Sequence, residues 1–502
     1  MKKIFLLTII LLFSISLVAC TKDDPVDSDN PVVEPDAPTD NLTEEDILFF
    51  EKVESYIRSF VKSPTREDLK LKTNYYSTAV QIEYISSNPD VLTNDGKYIE
   101  HDVDVDVVLK CILTLEDKKY VFSMNVTSTG IPDKQKLEVT KNYLEEYFET
   151  TELKEGTVLP TTHPKYGGRI RWVCEDPSVI VDYKTINLPL EAGTYRLIAE
   201  INFPTPAAYE IVQYPVTLSK TSLTKEERTV NFIKQSMVST EGSFVNLYEG
   251  SSVEINRSKI INIEDELEQY WTYGYKPNIP QSALNQVYEG YTLKNTSNVL
   301  WIVVHETGMA RTGMTAEYLA NTQHENAYVG GGREASWNYT VDDGFVYQSY
   351  EDNVACWHAS DGKTVGGGNK NGIGIEMCVN TDGQFNAAMR HDARLIAYLL
   401  RTHNLGMANI KQHYDFAYND KNCPENIRND RRWFELLGMI TREYTSQILL
   451  KDVDVNYTVT SNNVEEWKLP GIYKITDGNT INVTVEVFNE TFNLTLTNES
   501  SK

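Results

Sequence analysis

Cysteine is scarce, only 6 in 502 residues, which excludes a fold built on disulfides. Positive charge is also in short supply. Lys and Arg number 47 against 72 Asp and Glu, a formal charge of −25. A chain this acidic does not bind nucleic acid, or an anionic membrane, through its net field. Beyond the first twenty residues no apolar run is long enough to span a bilayer. Phosphate loops are missing as well. Gly330-Gly331-Gly332 and Gly366-Gly367-Gly368 lack the strand-then-helix setting and the lysine, so both read as mobile loops near a cleft. What is present is a globular composition, 41% hydrophobic and 24% charged, which excludes wholesale disorder. At roughly 100–200 residues per domain, the length predicts three or four domains.

Met1-Lys2-Lys3 is a short basic start, and Ile4 to Val18 is almost wholly apolar. The run is short for a membrane span and suits a signal peptide. It ends Leu17-Val18-Ala19-Cys20, which resembles a bacterial lipoprotein signal. The resemblance implies cleavage after residue 19 and a lipid on the Cys20 thiol. Residues 20–44 then form an acidic, proline-containing tether, with Pro25, Pro31, Pro35 and Pro38. Like charges extend such a segment. The expected location is the outer face of a bacterial membrane, of Gram-positive type.

An internal repeat follows. Ile82-Glu83-Tyr84 matches Ile170-Arg171-Trp172, and Asn88-Pro89-Asp90-Val91 matches Asp176-Pro177-Ser178-Val179. One ungapped offset of 88 covers both pairs and the later strand-like stretches. Each copy begins with helical periodicity, the first capped by Thr43 with Asp46 three residues on, and carrying Ile47, Phe50, Val53, Ile57, Phe60 and Val61 on one face. Residues 45–130 and 131–220 resemble bacterial immunoglobulin-like modules, which implies two β-rich spacers or wall binders. His101 and His163 stand alone and read as surface residues, and Cys111 and Cys174 as free thiols. Residues 221–297 form a bridging segment with a helix-like start at Lys225–Met237 and an aromatic cluster of Tyr270, Trp271, Tyr273 and Tyr275. Residues 447–502 alternate strongly, with Ile481, Val483, Val485 and Val487 on one face, and form a small β-module with a hairpin near Asn489-Glu490-Thr491.

Six of the eight histidines lie in residues 298–446. Val299 to Val304 is a buried-type strand that ends at His305-Glu306-Thr307. Gly372 to Cys378 is another, with an ionisable Glu376 inside it, which is costly without a role or a partner. Ile410-Lys411-Gln412 leads to His413, and Cys423-Pro424 follows ten residues on. Two neutral imidazoles and a thiolate suit zinc, with a fourth position left for water. On the residues alone, scattered core histidines are the alternative. His324, His391 and His403 read as surface residues, and Cys356 and Cys378 as buried thiols on strands, with a disulfide between them as the alternative.

Five blocks occur in order: V-V-H-E-T, N-Y-T-V-D-D-G, A-C-W-H-A-S-D-G, N-G-I-G-I-E-M-C-V-N and K-Q-H-Y-D-F with K-N-C-P. Together they resemble the type-2 N-acetylmuramoyl-L-alanine amidases, over about 150 residues. The resemblance implies one zinc per chain held by His305, His413 and Cys423, with Glu376 as catalytic acid–base and Lys421 facing the oxyanion. It implies that His358 lines the substrate cleft, with Trp357, Trp337, Tyr339 and Asn338 also binding substrate. Asn338 stands where many relatives have a histidine that is not a metal ligand. The implied partner is peptidoglycan, with a membrane contact through the lipid. Nucleic acid is not expected and no oligomer is indicated. The expected architecture is therefore multidomain: two immunoglobulin-like repeats, a mixed α/β zinc amidase domain with a central sheet between helices, and a small β-module. The alternative is a non-catalytic peptidoglycan receptor, or a surface scaffold, on the same fold.

Overall fold

A computed structural model of the chain describes residues 42–236, 239–240, 244–261, 299–329, 335–362, 364–478 and 480–498. The signal peptide, Cys20, most of the tether, the Tyr270 to Tyr275 cluster and Gly330 to Gly332 lie outside them. No described helix is long and apolar enough to cross a membrane. The chain divides into two compact units, one ending at Ile131 and the other beginning at Pro132.

In the first unit, helix α1 (Glu44–Arg58) is capped reciprocally: Asp46 Oδ2 accepts from the Thr43 backbone N–H, and Thr43 Oγ1 accepts from the Asp46 N–H. Phe50, Val53 and Ile57 are buried, whereas Ile47 and Phe60 are more than a third exposed. Strands β1 (Gln81–Ser86), β2 (Val105–Leu115) and β3 (Lys118–Ser128) form one antiparallel sheet in chain order.

The second copy opens the second unit with α2 (Asp133–Thr150), β4 (Arg169–Cys174), β5 (Gly193–Asn202) and β6 (Tyr209–Leu218). The offset of 88 reaches single hydrogen bonds. Tyr84 donates its OH to the Lys72 carbonyl, and Trp172 donates Nε1–H to the Pro160 carbonyl. An immunoglobulin sandwich needs a second facing sheet. Among the described residues each copy instead has one three-stranded sheet with a helix: Leu137 and Leu144 of α2 share the core of Trp172 and Leu197. His163, expected at the surface, is buried between Tyr143 and Tyr166.

The second copy is not a free spacer within its unit. Val173 and Ile198 project from its sheet into the large core that also contains Ile302, Ile375 and Phe434. Arg171 pairs with the fully buried Glu200 at 2.7 Å.

That large core belongs to a mixed sheet with strand order β11-β10-β12-β9-β13. Its members are β9 (Trp301–Glu306), β10 (Tyr339–Val341), β11 (Val346–Gln348), β12 (Gly372–Met377) and β13 (Ile410–Gln412). All neighbours are parallel except β10 and β11. Side chains alternate along each strand. Ile302, Val304, Ile373, Ile375 and Met377 therefore enter the core beneath the apolar sides of α6 (Phe385–Thr402) and α8 (Trp433–Leu449), while His305, Gly374 and Glu376 face the other way. On that side α4 (Ala316–Val329) packs on Tyr347 and Cys378. The short helices α5 (Gly368–Asn371) and α7 (Glu425–Asn429) precede β12 and α8.

The bridging segment is woven into the C-terminal β-structure. After α3 (Lys225–Ser236), β7 (Ser239–Thr240) and β8 (Phe244–Asn246) join two sheets built from β14 (Val455–Val459), β15 (Val464–Glu466), β16 (Ile472–Ile475), β17 (Thr480–Val487) and β18 (Glu490–Asn498). The β17–β18 hairpin turns at Phe488-Asn489, so Glu490 and Thr491 are strand residues, not turn residues. Buried Arg390 and Arg394 of α6 both bind Glu443 of α8, at 2.6 and 3.0 Å, and the Arg390 guanidinium lies 4.0 Å from the Tyr248 ring centroid.

Candidate metal and amide-hydrolysis site

His305 is the penultimate residue of β9 and lies opposite Glu376 of β12 in the parallel ladder. His413 starts a single 3-10 turn immediately after β13, the strand on the other side of β9. Three neighbouring strands therefore deliver both imidazoles and the carboxylate to one edge. Cys423 reaches the same point from the loop before α7. Its position is set by Glu306: Oε2 accepts from the Asn426 N–H and Oε1 from the Ile427 N–H, both at 2.9 Å. The Cys423 carbonyl also accepts from the Tyr414 N–H at 3.0 Å.

The donor atoms converge. His305 Nδ1 is 3.0 Å from His413 Nδ1, and Cys423 Sγ is 3.9 Å from His305 Nδ1. All three residues are buried, and their ligand atoms lie within 4.8 Å of one another. A tetrahedral zinc with bonds of about 2.0 Å to nitrogen and 2.3 Å to sulfur separates such atoms by roughly 3.3 and 3.6 Å. The donor set and its spacing fit zinc. Burial holds the His305 imidazole well below its usual pKa, and nearby His358, His413 and Lys421 add to this, so it is neutral, as a ligand must be. Burial, with the nearby Glu376 carboxylate, pushes the Cys423 thiol up to about 12, opposed by a hydrogen bond with the Glu306 backbone and by the charge of Lys421. A bound cation reverses that preference and favours the thiolate.

Glu376 Oε1 lies 4.0 Å from His305 Nδ1, and its side chain is only 18% exposed. A largely apolar cleft of about 120 Å³ opens beside it, lined by Thr307, Met309, Leu319, Gln323 and Trp337 among others. Lys421 is exposed, two residues from Cys423.

Other expected site residues are placed differently. Tyr339 is not a cleft wall. It faces the core, 2% exposed, and donates its OH to Asp352 at 2.6 Å, because its strand position points to the α6 side. Asn338 is fully buried and its amide is committed to backbone: Oδ1 accepts from the Gly374 N–H, and Nδ2 donates to the Glu351 and Val354 carbonyls. It ties strands together and has no group left for a substrate. Trp357 is half-buried and its backbone exchanges hydrogen bonds with Ser336. His358 is buried, with Nδ1 2.9 Å from His305 Nε2. Of His391 and His403, both expected at the surface, His391 is buried, and His403 is half-buried with its side chain covered. Burial lowers His391 to about 4 while its Nδ1 meets the Asp342 carbonyl; His403 Nε2 bonds Asp352 at 2.9 Å. Cys111, Cys174 and Cys378 are buried free thiols, and Cys356 is buried too; Cys356 lies in a loop and Cys378 one residue past β12.

In the Gly366 to Gly368 run, two glycines are packing contacts: a Cβ on Gly367 would lie 2.1 Å from Asp361 Oδ2, and one on Gly368 2.4 Å from Ala359 Cβ. These glycines let α5 press against residues 358–361. Glu306, Ser360, Asp361 and Asn369 were given no role from sequence. The only signal for them was their position inside the H-E-T, H-A-S-D-G and G-N-K-N stretches around the histidines.

Residues 295–426 match the family described as N-acetylmuramoyl-L-alanine amidase. The chain is 35% identical over 153 residues to the N-acetylmuramoyl-L-alanine amidase XlyA of Bacillus subtilis (strain 168), covering 30% of this chain and 45% of the relative. It is 32% identical over 145 residues to the amidase CwlH of the same organism, covering 29% and 54%. The chain thus spans about half the length of these curated relatives. Among solved structures, the catalytic domain of XlyA aligns with 32% identity and a TM-score of 0.26, over 30% of this chain and 90% of that one.

Proposed function

We propose that the chain is a zinc-dependent N-acetylmuramoyl-L-alanine amidase that cleaves the amide between the lactyl group of N-acetylmuramic acid and L-alanine of the peptidoglycan stem. The observation that carries this reading is the meeting of His305, His413 and Cys423 with Glu376 directly across the ladder from His305. His305, His413 and Cys423 would hold the metal. Bound zinc would supply Lewis acidity, lowering the pKa of water and polarising the scissile carbonyl. Glu376 takes the proton of the attacking water on its carboxylate and passes it to the leaving amine of L-alanine. Lys421 faces the charge that develops on the carbonyl oxygen. Trp337 and the apolar cleft beside Glu376 position the substrate and exclude water.

The same reading places the enzyme at a bacterial surface, anchored through a lipid on Cys20 and spaced by the acidic segment and the first repeat. Its partner is peptidoglycan. The second repeat shares a core with the amidase region and so contributes rigidity more than reach.

The test is metal dependence of wall cleavage. Dialysis against a chelator should abolish release of new amino groups from purified peptidoglycan, and one equivalent of zinc should restore it. Undiminished release from fully metal-free protein would refute the proposal.

A further inference from the structure

Building on the zinc reading, we propose that His358 and Ser360 are positioning residues that hold His305 and His413 with Nε2–H outward, so that both Nδ1 lone pairs turn to one metal. The metal-side atoms of the two histidines are their Nδ1 atoms, 3.0 Å apart. Each outer nitrogen has a partner on one short loop. His305 Nε2 meets His358 Nδ1 at 2.9 Å, and His413 Nε2 meets Ser360 Oγ at 2.9 Å. A neutral imidazole carries a single N–H, and a hydrogen bond from Nε2–H leaves the lone pair on Nδ1. His358 Nδ1 and Ser360 Oγ can both accept that bond. Such outer partners orient metal-binding imidazoles and raise their basicity.

The loop is built to stay in place. Asn369 Oδ1 accepts from the His358 and Ala359 N–H groups at 2.7 and 2.6 Å. Asp361 accepts from the Gly368 and Asn369 N–H groups at 2.6 and 3.2 Å. Ser360 sits at φ 58°, a left-handed conformation that non-glycine residues rarely adopt. Backbone strain of this kind persists only where the surroundings impose it, and functional sites are where it concentrates. Beneath the loop, Gly374 leaves the space that the His358 ring fills, since a Cβ there would lie 2.7 Å from its Cδ2. The A-C-W-H-A-S-D-G stretch therefore serves the metal ligands from behind, with His358 buried and not lining the cleft.

The experiment measures zinc affinity of the purified chain by chelator competition for the wild type, Ser360→Ala, Ser360→Thr, His358→Ala and His358→Gln. Each alanine variant should bind zinc about 10- to 100-fold more weakly, the usual effect of losing an outer partner. Thr and Gln keep an oxygen acceptor and should recover most of the loss. A second readout is the His413 Nε2–H proton in NMR spectra of zinc-loaded, 15N-histidine-labelled protein. It should be exchange-protected in the wild type and lose that protection in Ser360→Ala. Wild-type zinc binding with Ser360→Ala and His358→Ala affinities within twofold of it would overturn the positioning roles alone. Absence of zinc binding by the wild type would overturn the functional reading on which they rest.

Discussion

Replacing Gly374 by alanine tests how tightly the metal site is backed. The added Cβ would lie 2.7, 2.8 and 2.9 Å from Cδ2, Cγ and Nε2 of His358. Ordinary carbon contacts are about 3.5–4.0 Å, so the ring must retreat by on the order of 1 Å. Retreat is restricted, because the His358 backbone N–H is bonded to Asn369 and the ring to His305. Moving the ring by that much would lengthen or misalign its 2.9 Å bond to His305. Overpacking of a tight core costs about 1–3 kcal/mol. Losing the outer partner of His305 further weakens zinc binding by about 10- to 100-fold. Thermal unfolding with and without zinc, together with chelator competition, reads both effects. The expected result is a lower Tm and a narrower gap between zinc-loaded and metal-free protein. A Gly374→Ala chain with unchanged Tm and zinc affinity within twofold of wild type would refute the packing argument.

Glu376→Gln keeps the shape of the side chain and removes its proton acceptance, so amide cleavage should fall by about 10²- to 10⁴-fold while zinc binding, measured by competition, is retained. Glu306→Ala leaves the Asn426 and Ile427 N–H groups without their acceptor, which should cost roughly 1.5–3 kcal/mol per bond and weaken zinc binding through Cys423; denaturant titration and chelator competition check the two parts. Asp392 is fully buried and its carboxyl is raised by desolvation to about 8, so the folded chain holds a proton that the unfolded chain releases above about pH 4. This carboxyl therefore subtracts stability progressively from about pH 4 to 8, by at most about 4 kcal/mol at pH 7, and Asp392→Asn should flatten the fall in Tm across that range. Chelation of the wild type should lower its Tm, since zinc at 100 times its Kd adds about 2.7 kcal/mol to the folded state.

Chemistry was more legible in the sequence than shape. His305, Glu376 and His413 stand at or within apolar strands, where polar residues are few, and strand pairing brings these three together. Cys423, in the loop before α7, joined them in the sequence through the resemblance to the amidases. Their supports were hidden. Ser360 acts through a bond to a residue 53 positions away, and the close packing of Gly367 and Gly368 has no signature in the glycine run itself. Both depend on the approach of segments distant in the chain, which leaves no local periodicity. The covered histidines were misjudged for the same reason: His391 and His403 have partners, Asp342 and Asp352, that only the folded sheet supplies. The 88-residue repeat was readable as a register, down to the matched Tyr84 and Trp172 bonds. Its layering was not, because a helix and a second sheet present similar apolar faces to the strands they cover.

The central claim is tested most directly by the products. The purified zinc-loaded chain is incubated with defined muropeptides, and the mixture is resolved by mass spectrometry. The account expects free stem peptide beginning at L-alanine, together with a disaccharide that retains its lactyl group, and neither product with Glu376→Gln. Cleavage elsewhere in the muropeptide, or stem release that persists in Glu376→Gln, would contradict it.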